Sequence, residues 1–192
     1  MLRRVAVLAS ESELACPDDL ALAQRSGAAL AERSIAVITS GLSLGTTGMV
    51  ADAAIRAGGR VIGVLLESTP AELSHAGLVE SHRTADPAAQ YRQIATLADA
   101  ILFLPGAVAS LEQLIELKLA TPAREVAFGL LDEGGFFSGL LATAGDEALD
   151  AFVRESQRGA VTLGRDLDEL LTRLASYRPP EGRHGNHDPD DS

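Results

Sequence analysis

One stretch of the sequence decides the fold class: IAVITSGLSLGTTGMVADAAIRAGGRVIGVLL, Ile35 to Leu66. It opens and closes with continuous apolar runs, Ile35–Thr39 and Val61–Leu66, of the kind that forms strands buried on both faces. Between them, Thr47–Ala57 has a helical period and is followed by the stop signal Gly58-Gly59. The order strand, glycine-bearing turn, helix, strand is that of a parallel βαβ unit.

The same alternation continues on both sides of this unit. Further apolar runs predict buried strands at Val5–Ala9, Ile101–Leu104 and Val126–Leu131. Further helical periods lie at Pro17–Arg33, Pro87–Ala98, Ser110–Ala120, Gly145–Ser156 and Arg165–Ser176. The sequence therefore predicts an α/β fold, a doubly wound and mainly parallel sheet with helices on both faces.

Composition narrows the function classes. With 27 acidic against 16 basic residues and a formal net charge of −11, the chain is a poor binder of nucleic acid, which requires a basic face. Its single cysteine, Cys16, excludes an intrachain disulfide, and no Cys/His cluster has the spacing of a metal site. Without a membrane-length apolar run or a signal-peptide pattern, we expect a cytoplasmic protein that has no membrane partner.

The domain organisation is predicted to be simple. Residues 1–177 carry the strand and helix patterns and are expected to form one domain. The segment 178–192, rich in Pro, Gly and Asp and lacking apolar residues, is expected to be a disordered acidic tail. We expect its His184 and His187 to be solvated rather than metal-bound.

Two glycine-bearing turns follow predicted strands, SGLSLGTTG at Ser40–Gly48 and LPGAVASLEQ at Leu104–Gln113. In a doubly wound sheet, ligands bind outside the carboxyl ends of the strands, and N–H groups at helix starts attract anions. Ordinary turn chemistry is the alternative explanation for such glycines. Neither GxGxxG spacing nor a P-loop lysine is present, so we predict no dinucleotide or other cofactor and no metal. The candidate binding residues for a phosphorylated small molecule are Ser10, Gly41, Ser43, Gly45, Thr46, Gly48, Gly106, Ala107, Ala109 and Ser110.

The two turns carry a resemblance to the LOG family, the cytokinin riboside 5′-monophosphate phosphoribohydrolases often labelled lysine decarboxylases. The family's GGGSxGLMG resembles Ser40–Gly48, and its PGGxGTxxE resembles Pro105–Gln113, within a likeness that runs from Arg4 to about Tyr177. The resemblance implies a Rossmann-like fold, a homodimer, and a pocket for a nucleoside 5′-monophosphate. It also implies cleavage of the N-glycosidic bond to give free base and ribose 5-phosphate, served by a carboxylate and an arginine.

The sequence departs from the family pattern where that chemistry lies. The motif glutamate falls on Gln113, and the family's Arg-Lys pair falls on Gln90 and Tyr91. A neutral amide can neither accept a proton nor offer a full negative charge, which commonly costs on the order of 100-fold in rate. Other departures replace motif glycines and a threonine, at Ser40, Leu42, Ala107, Ala109 and Ser110.

The leading hypothesis is therefore a LOG-like sensor or carrier of a nucleotide or other phosphorylated ligand, without normal phosphoribohydrolase activity. In this reading Gln113 serves a capping box with Ser110. The alternative is an active phosphoribohydrolase in which Glu112 or Glu116 substitutes for the missing carboxylate. A third possibility is a structural partner that dimerises through the helix Ser110–Ala120. Lys118, the only lysine, is expected near a surface without a motif around it, which argues against a Schiff-base enzyme.

Overall fold

The computed structural model describes residues 1–108, 111–119 and 126–179, with Glu112, Gln113 and Leu119 described by their backbone alone. The strands are β1 (Arg4–Leu8), β2 (Ala36–Thr39), β3 (Val61–Leu66), β4 (Glu80–Thr84), β5 (Ala100–Phe103), β6 (Ala127–Leu131) and β7 (Val161–Gly164). The helices are α1 (Pro17–Glu32), α2 (Gly45–Arg56), α3 (Pro87–Leu97), α4 (Leu111–Leu119), α5 (Phe136–Thr143), α6 (Asp146–Gln157) and α7 (Leu167–Ser176). A short 3₁₀ helix spans Ala71–Leu73.

All seven strands form one parallel sheet in the order β4-β3-β2-β1-β5-β6-β7. The chain winds outward from β1 to β4 on one side, then crosses back and winds outward from β5 to β7. The direction of winding reverses between β1 and β5, whose last residues Leu8 and Phe103 are level in the sheet. The doubly wound α/β fold predicted from the sequence is confirmed.

Each face of the sheet carries its own apolar core. On one face, α3, α4, α5 and α6 pack on strand side chains that include Phe103 and Phe128, whose ring centroids are 5.0 Å apart. On the other face, α1, α2 and α7 cover strand side chains such as Val5 and Val37. Because both faces are covered, the inner strands consist almost entirely of buried residues, as their continuous apolar runs predict.

Helix starts are set by residues that the chain supplies locally. Asp86 accepts a hydrogen bond from the backbone N–H of Ala89 and so caps α3, with Pro87 at its first position. Asp166 caps α7 in the same way, by accepting from Glu169. These caps fix where α3 begins, and with it the position of the Gln90 side chain one turn later.

The structure corrects the sequence expectations at three unpredicted elements, at the start of one helix and at Lys118. The edge strands β4 and β7 and the helix α5 were not predicted, and α2 begins at Gly45 rather than at Thr47. Lys118 is buried and not near a surface: it is 6% exposed, its Nζ donates to the carbonyl oxygen of Val126 at 2.8 Å, and it lies 5.1 Å from the centroid of the Phe128 ring. The predicted acidic tail lies outside the described residues from position 180 onward.

Candidate functional site

A cavity of about 310 Å³ opens at the carboxyl ends of the central strands. It lies where the winding direction reverses, which is where ligands bind in doubly wound folds. Its walls come from the β1–α1 loop, the end of β2, α3 and the β5–α4 turn. The lining residues are Leu8, Ala9, Ser10, Glu11, Ser40, Gln90, Tyr91, Ile94, Gly106 and Ala107.

A larger recess of about 630 Å³ exists elsewhere, beside the edge strand β7. It is lined by the C-terminal ends of α6 and α7 and by Gly159, which precedes β7, so it lies toward the amino ends of the strands. Ligand crevices of doubly wound sheets lie at the opposite ends. The cavity at the switch point is therefore preferred to this recess as the candidate site.

The first glycine-bearing turn acts as a scaffold next to this cavity. The backbone N–H and the hydroxyl of Ser43 both donate to the carbonyl oxygen of Leu73, at 3.0 and 3.2 Å. The N–H of Gly41 donates to Oγ1 of Thr39, and a β-carbon on Gly41 would stand 2.8 Å from Cγ of Leu65. Ser43 and Gly41 thus fasten the turn to β3 and to the loop that follows it.

The start of α2 is held against the β1–α1 loop. The carbonyl oxygen of Ser10 accepts from Oγ1 of Thr46 at 3.0 Å and from the backbone N–H of Thr47 at 3.1 Å. Gly45 has φ +56°, and a β-carbon there would stand 2.6 Å from the carbonyl oxygens of both Ser10 and Ser12. A peptide carbonyl of the protein itself therefore sits where the sequence predicts an anion.

Five of the predicted binding residues are not among the cavity-lining residues: Gly41, Ser43, Gly45, Thr46 and Gly48. A β-carbon on Gly48 would stand 2.5 Å from the carbonyl group of Ser43, so this glycine too is required for close packing. A ligand contact by these residues stays a prediction. In the structure, Gly45 and Thr46 join the β1–α1 loop to the first turn of α2, while Gly41 and Ser43 fasten the preceding turn to β3 and to the loop after it.

The second glycine-bearing turn does reach the cavity. Gly106 has φ +79°, and a β-carbon there would stand 3.1 Å from Cβ of Ser10, so the β5–α4 turn and the β1–α1 loop meet at this point. The turn begins with Leu104, whose N–H donates to the carbonyl oxygen of Leu8 at 2.9 Å. Three predicted binding residues, Ser10, Gly106 and Ala107, thus come together in one wall. Ala109, Ser110 and the capping box with Gln113 lie outside the described residues and side chains.

Gln90 lies in the cavity wall, but its side chain is tied to the sheet. Its Nε2 donates to the carbonyl oxygen of Val64 in β3 at 2.6 Å. At the position where the resemblance implies an arginine, the chain therefore has a neutral amide that completes the backbone hydrogen bonding of a strand.

The two carboxylates predicted as substitutes for the missing one, Glu112 and Glu116, are not among the described lining residues of the cavity. Glu116 is exposed on α4 and is not a lining residue, and the side chain of Glu112 is outside the description. The carboxylate that does line the cavity is Glu11, an exposed residue of the β1–α1 loop that the sequence reasoning missed. The loop after β1 always borders the switch point, and this signal could have identified Glu11 together with Ser10.

The lining mixes apolar and polar residues and carries no positive charge: among the described residues, no lysine, arginine or histidine contributes to it. The described part of the chain also contains no cluster of three or more His, Cys, Asp or Glu residues able to hold a metal ion. Within the same part, every helix is too short or too polar to span a bilayer.

The fold and the cavity together define a Rossmann-like protein with a cavity at its switch point. A family model described as "Possible lysine decarboxylase" matches residues 47–174, more than half of the chain. The chain is 30% identical over 183 residues to a cytokinin riboside 5′-monophosphate phosphoribohydrolase of Arabidopsis thaliana, covering 92% of this chain and 83% of that protein. It is 29% identical over 159 residues to the enzyme of that name from Rhodococcoides fascians, covering 81% and 80%. The chain belongs to the LOG family.

Solved structures share the fold. The molybdenum cofactor carrier protein of Chlamydomonas reinhardtii superposes with a TM-score of 0.65 at 19% identity, covering 90% of this chain and 98% of that one. The molybdenum cofactor binding protein of Rippkaea orientalis gives 0.67 at 16% identity, covering 90% and 95%. At these identities the likeness shows the fold alone.

Proposed function

We propose that this protein binds a phosphorylated small molecule of the nucleoside 5′-monophosphate kind in the switch-point cavity, and that it lacks normal phosphoribohydrolase activity. The observation that carries the proposal is the hydrogen bond of Gln90 to Val64, at 2.6 Å. Hydrolysis of an N-glycosidic bond develops positive charge on the sugar and needs water delivered to its anomeric carbon. A neutral, sheet-bound amide at position 90 and a neutral amide at position 113 support neither requirement.

Binding requires less of the site than hydrolysis does. The cavity volume of about 310 Å³ lies at the lower end of the usual range for ligand pockets. The Gly106 turn leads into the start of α4, and helix starts hold phosphate through backbone N–H groups whatever the side chains are. We place the phosphate at this end of the cavity, because the N–H of Thr47 at the start of α2 already donates to Ser10.

The test combines binding and turnover. Titration calorimetry with AMP, GMP, CMP and UMP should show binding of at least one nucleotide, while chromatography of the same mixtures shows no free base at catalytic rates. The double variant Gln90→Arg/Gln113→Glu restores both family residues and should gain base release. Rapid base release by the wild type would refute the proposal, and so would the failure of all four nucleotides to bind.

A second candidate function is favoured by the position of Glu11. In this alternative the chain is an active phosphoribohydrolase, and the carboxylate in the β1–α1 loop replaces the missing one by orienting water. Glu11→Gln would then abolish base release while leaving nucleotide binding intact. Glu13→Gln is the matched control, because Glu13 is exposed in the same loop without lining the cavity.

If the leading proposal is correct, Glu11→Gln should instead strengthen nucleotide binding. Removing a rim carboxylate reduces repulsion of a phosphate, and an exposed charge pair is worth up to about 1 kcal/mol. The variant should therefore bind the nucleotide up to about 5-fold more tightly at low salt, with the gain shrinking at high salt.

The homodimer and the cytoplasmic location stay predictions. On α6, the apolar side chains of Leu149 and Val153 are 37% and 43% exposed and lie one helical turn apart, which supports a contact between subunits. Sedimentation of the wild type and of the Leu149→Glu/Val153→Glu variant tests this contact. If the variant is still a dimer, the subunits do not meet through this face of α6.

A further inference from the structure

We propose that Ser40 and Gln90 form an uncharged hydrogen-bonding subsite, which receives a neutral polar group of the ligand, either a ribose hydroxyl or the edge of a base. The inference rests on the proposed function and adds to it a division of the cavity. The phosphate lies at the Gly106 end, and the subsite lies at the opposite wall, between the ends of β2 and β3.

The sheet register brings the two residues together. Thr39 of β2 pairs with Gly63 of β3, so Ser40 is level with Val64 on the neighbouring strand. Neighbouring strands lie about 4.8 Å apart. The Gln90 amide is bonded to the carbonyl oxygen of Val64, and both Gln90 and Ser40 line the cavity. Two of the departures from the family motif, Ser40 and Gln90, thus lie on the same wall of the cavity.

The hydroxyl group of Ser40 makes no hydrogen bond to any residue that the structure describes. The residue is 9% exposed, and its Oγ is buried without a hydrogen-bond partner in the part of the chain that the structure describes. A buried hydroxyl that makes no hydrogen bond is unfavourable. No bond fixes its rotamer either, so rotation about the Cα–Cβ bond can turn Oγ toward the cavity that Ser40 lines. A ligand that offers a partner relieves the penalty.

The chemistry of the pair defines what it accepts. A serine hydroxyl both donates and accepts, and the Gln90 amide still has a carbonyl oxygen and one N–H after its bond to Val64. Neither group is charged, so neither compensates the desolvation of a phosphate or a carboxylate. Hydroxyl, carbonyl and ring-nitrogen groups match both.

The experiment measures the affinities of Ser40→Ala and Ser40→Gly by calorimetry. The probes are ribose 5-phosphate and the tightest-binding of AMP, GMP, CMP and UMP. Loss of one neutral hydrogen bond should weaken nucleotide binding about 3- to 10-fold. If the subsite receives the base, ribose 5-phosphate binding is unchanged; if it receives the sugar, both affinities fall together. Either pattern supports the subsite.

Ser26→Ala is the matched control. Ser26 is 0% exposed, its hydroxyl likewise has no partner among the described residues, and it lies on α1 and not in the cavity. Both serine-to-alanine variants should leave the melting temperature of the ligand-free protein unchanged or raise it, and only the Ser40 variants should weaken binding.

Three results overturn the inference, and they are distinguishable. If wild-type protein binds a nucleotide and the Ser40 variants bind it equally well, the subsite is refuted while the proposed function stands. If wild-type protein binds none of the probes, the proposed function fails and the subsite fails with it. A lower melting temperature for ligand-free Ser40→Ala would show that the hydroxyl has an internal partner, which also refutes the subsite.

Discussion

Replacing Gly45 with alanine tests whether the first glycine-bearing turn is a scaffold or an anion cradle. At φ +56° the added β-carbon is strained by the backbone, which costs about 1 kcal/mol. It would also stand 2.6 Å from two backbone carbonyl oxygens, those of Ser10 and Ser12. Backbone atoms cannot rotate away, so an overpacking cost of about 1–3 kcal/mol is added. Gly45→Ala should therefore lower the free energy of unfolding by about 2–4 kcal/mol.

Gly58→Ala is the matched control for this measurement. Gly58 has φ +79° and lies just after the same helix, but a β-carbon there meets no atom within 4 Å. The Gly58→Ala variant has the backbone strain without the steric clash, so it should lower the free energy of unfolding by about 1 kcal/mol. Urea unfolding followed by circular dichroism gives both values, since the midpoint and the slope together yield the free energy of unfolding.

The difference between the two variants isolates the packing of the β1–α1 loop on α2. If Gly45→Ala costs no more than Gly58→Ala, the loop is not held against the helix start as described, and the start of α2 becomes available for an anion. If Gly45→Ala costs about 1–3 kcal/mol more than Gly58→Ala, the first glycine-bearing turn does serve as a scaffold that holds the β1–α1 loop. Nucleotide affinity should then fall for Gly45→Ala alone, because the displaced loop carries Ser10 and Glu11.

Three further predictions follow from single contacts. Gly106→Ala should lower the free energy of unfolding by about 1–2 kcal/mol and weaken nucleotide binding, because φ is +79° and the new methyl group faces the β1–α1 loop at the cavity; urea unfolding and calorimetry measure the two effects. Asp132→Ala should cost about 2–4 kcal/mol in the same unfolding assay, because this 0% exposed carboxylate accepts from the backbone N–H of Phe137 and from the N–H and hydroxyl of Ser138. Lys118 should remain unlabelled when the folded protein is treated with pyridoxal phosphate and borohydride, because its Nζ is buried. Mass spectrometry of the digested protein should detect the label on Lys118 only when the protein was unfolded before treatment.

The sequence was sufficient for the elements that carry the core. β1, β2, β3, β5 and β6 are buried strands flanked by covered faces, so their apolar runs are continuous and easily recognised. β4, with the sequence ESHRT, is an edge strand whose residues are exposed or partly exposed, so it has no apolar run to detect. The helix α5 follows a glycine pair that indicates a turn, and its start is held by Asp132, whose role only the fold reveals.

The site was harder to predict because it depends on contacts between distant segments. A glycine motif indicates that other atoms approach the backbone of the glycine closely, but it does not indicate which atoms these are. At Gly45 they include the carbonyl oxygens of the β1–α1 loop, more than thirty positions earlier in the chain. Glu11 belongs to no motif, and only the strand order places its loop beside the β5–α4 turn.

The departures from the family pattern gain meaning from their arrangement. Ser40, where the family motif has a glycine, and Gln90, where the resemblance implies an arginine, are far apart in sequence. In the fold Ser40 directly follows β2, the Gln90 side chain reaches from α3 to the adjacent strand β3, and both residues line the cavity. Random loss of a catalytic site would remove groups without creating new polar partners at the same place. Here an amide is anchored to the sheet, and a hydroxyl buried in the same wall has no hydrogen-bond partner among the residues that the structure describes. This pairing is what the proposed function, ligand binding without bond cleavage, leads us to expect of a wall in which a neutral contact has replaced a charged one.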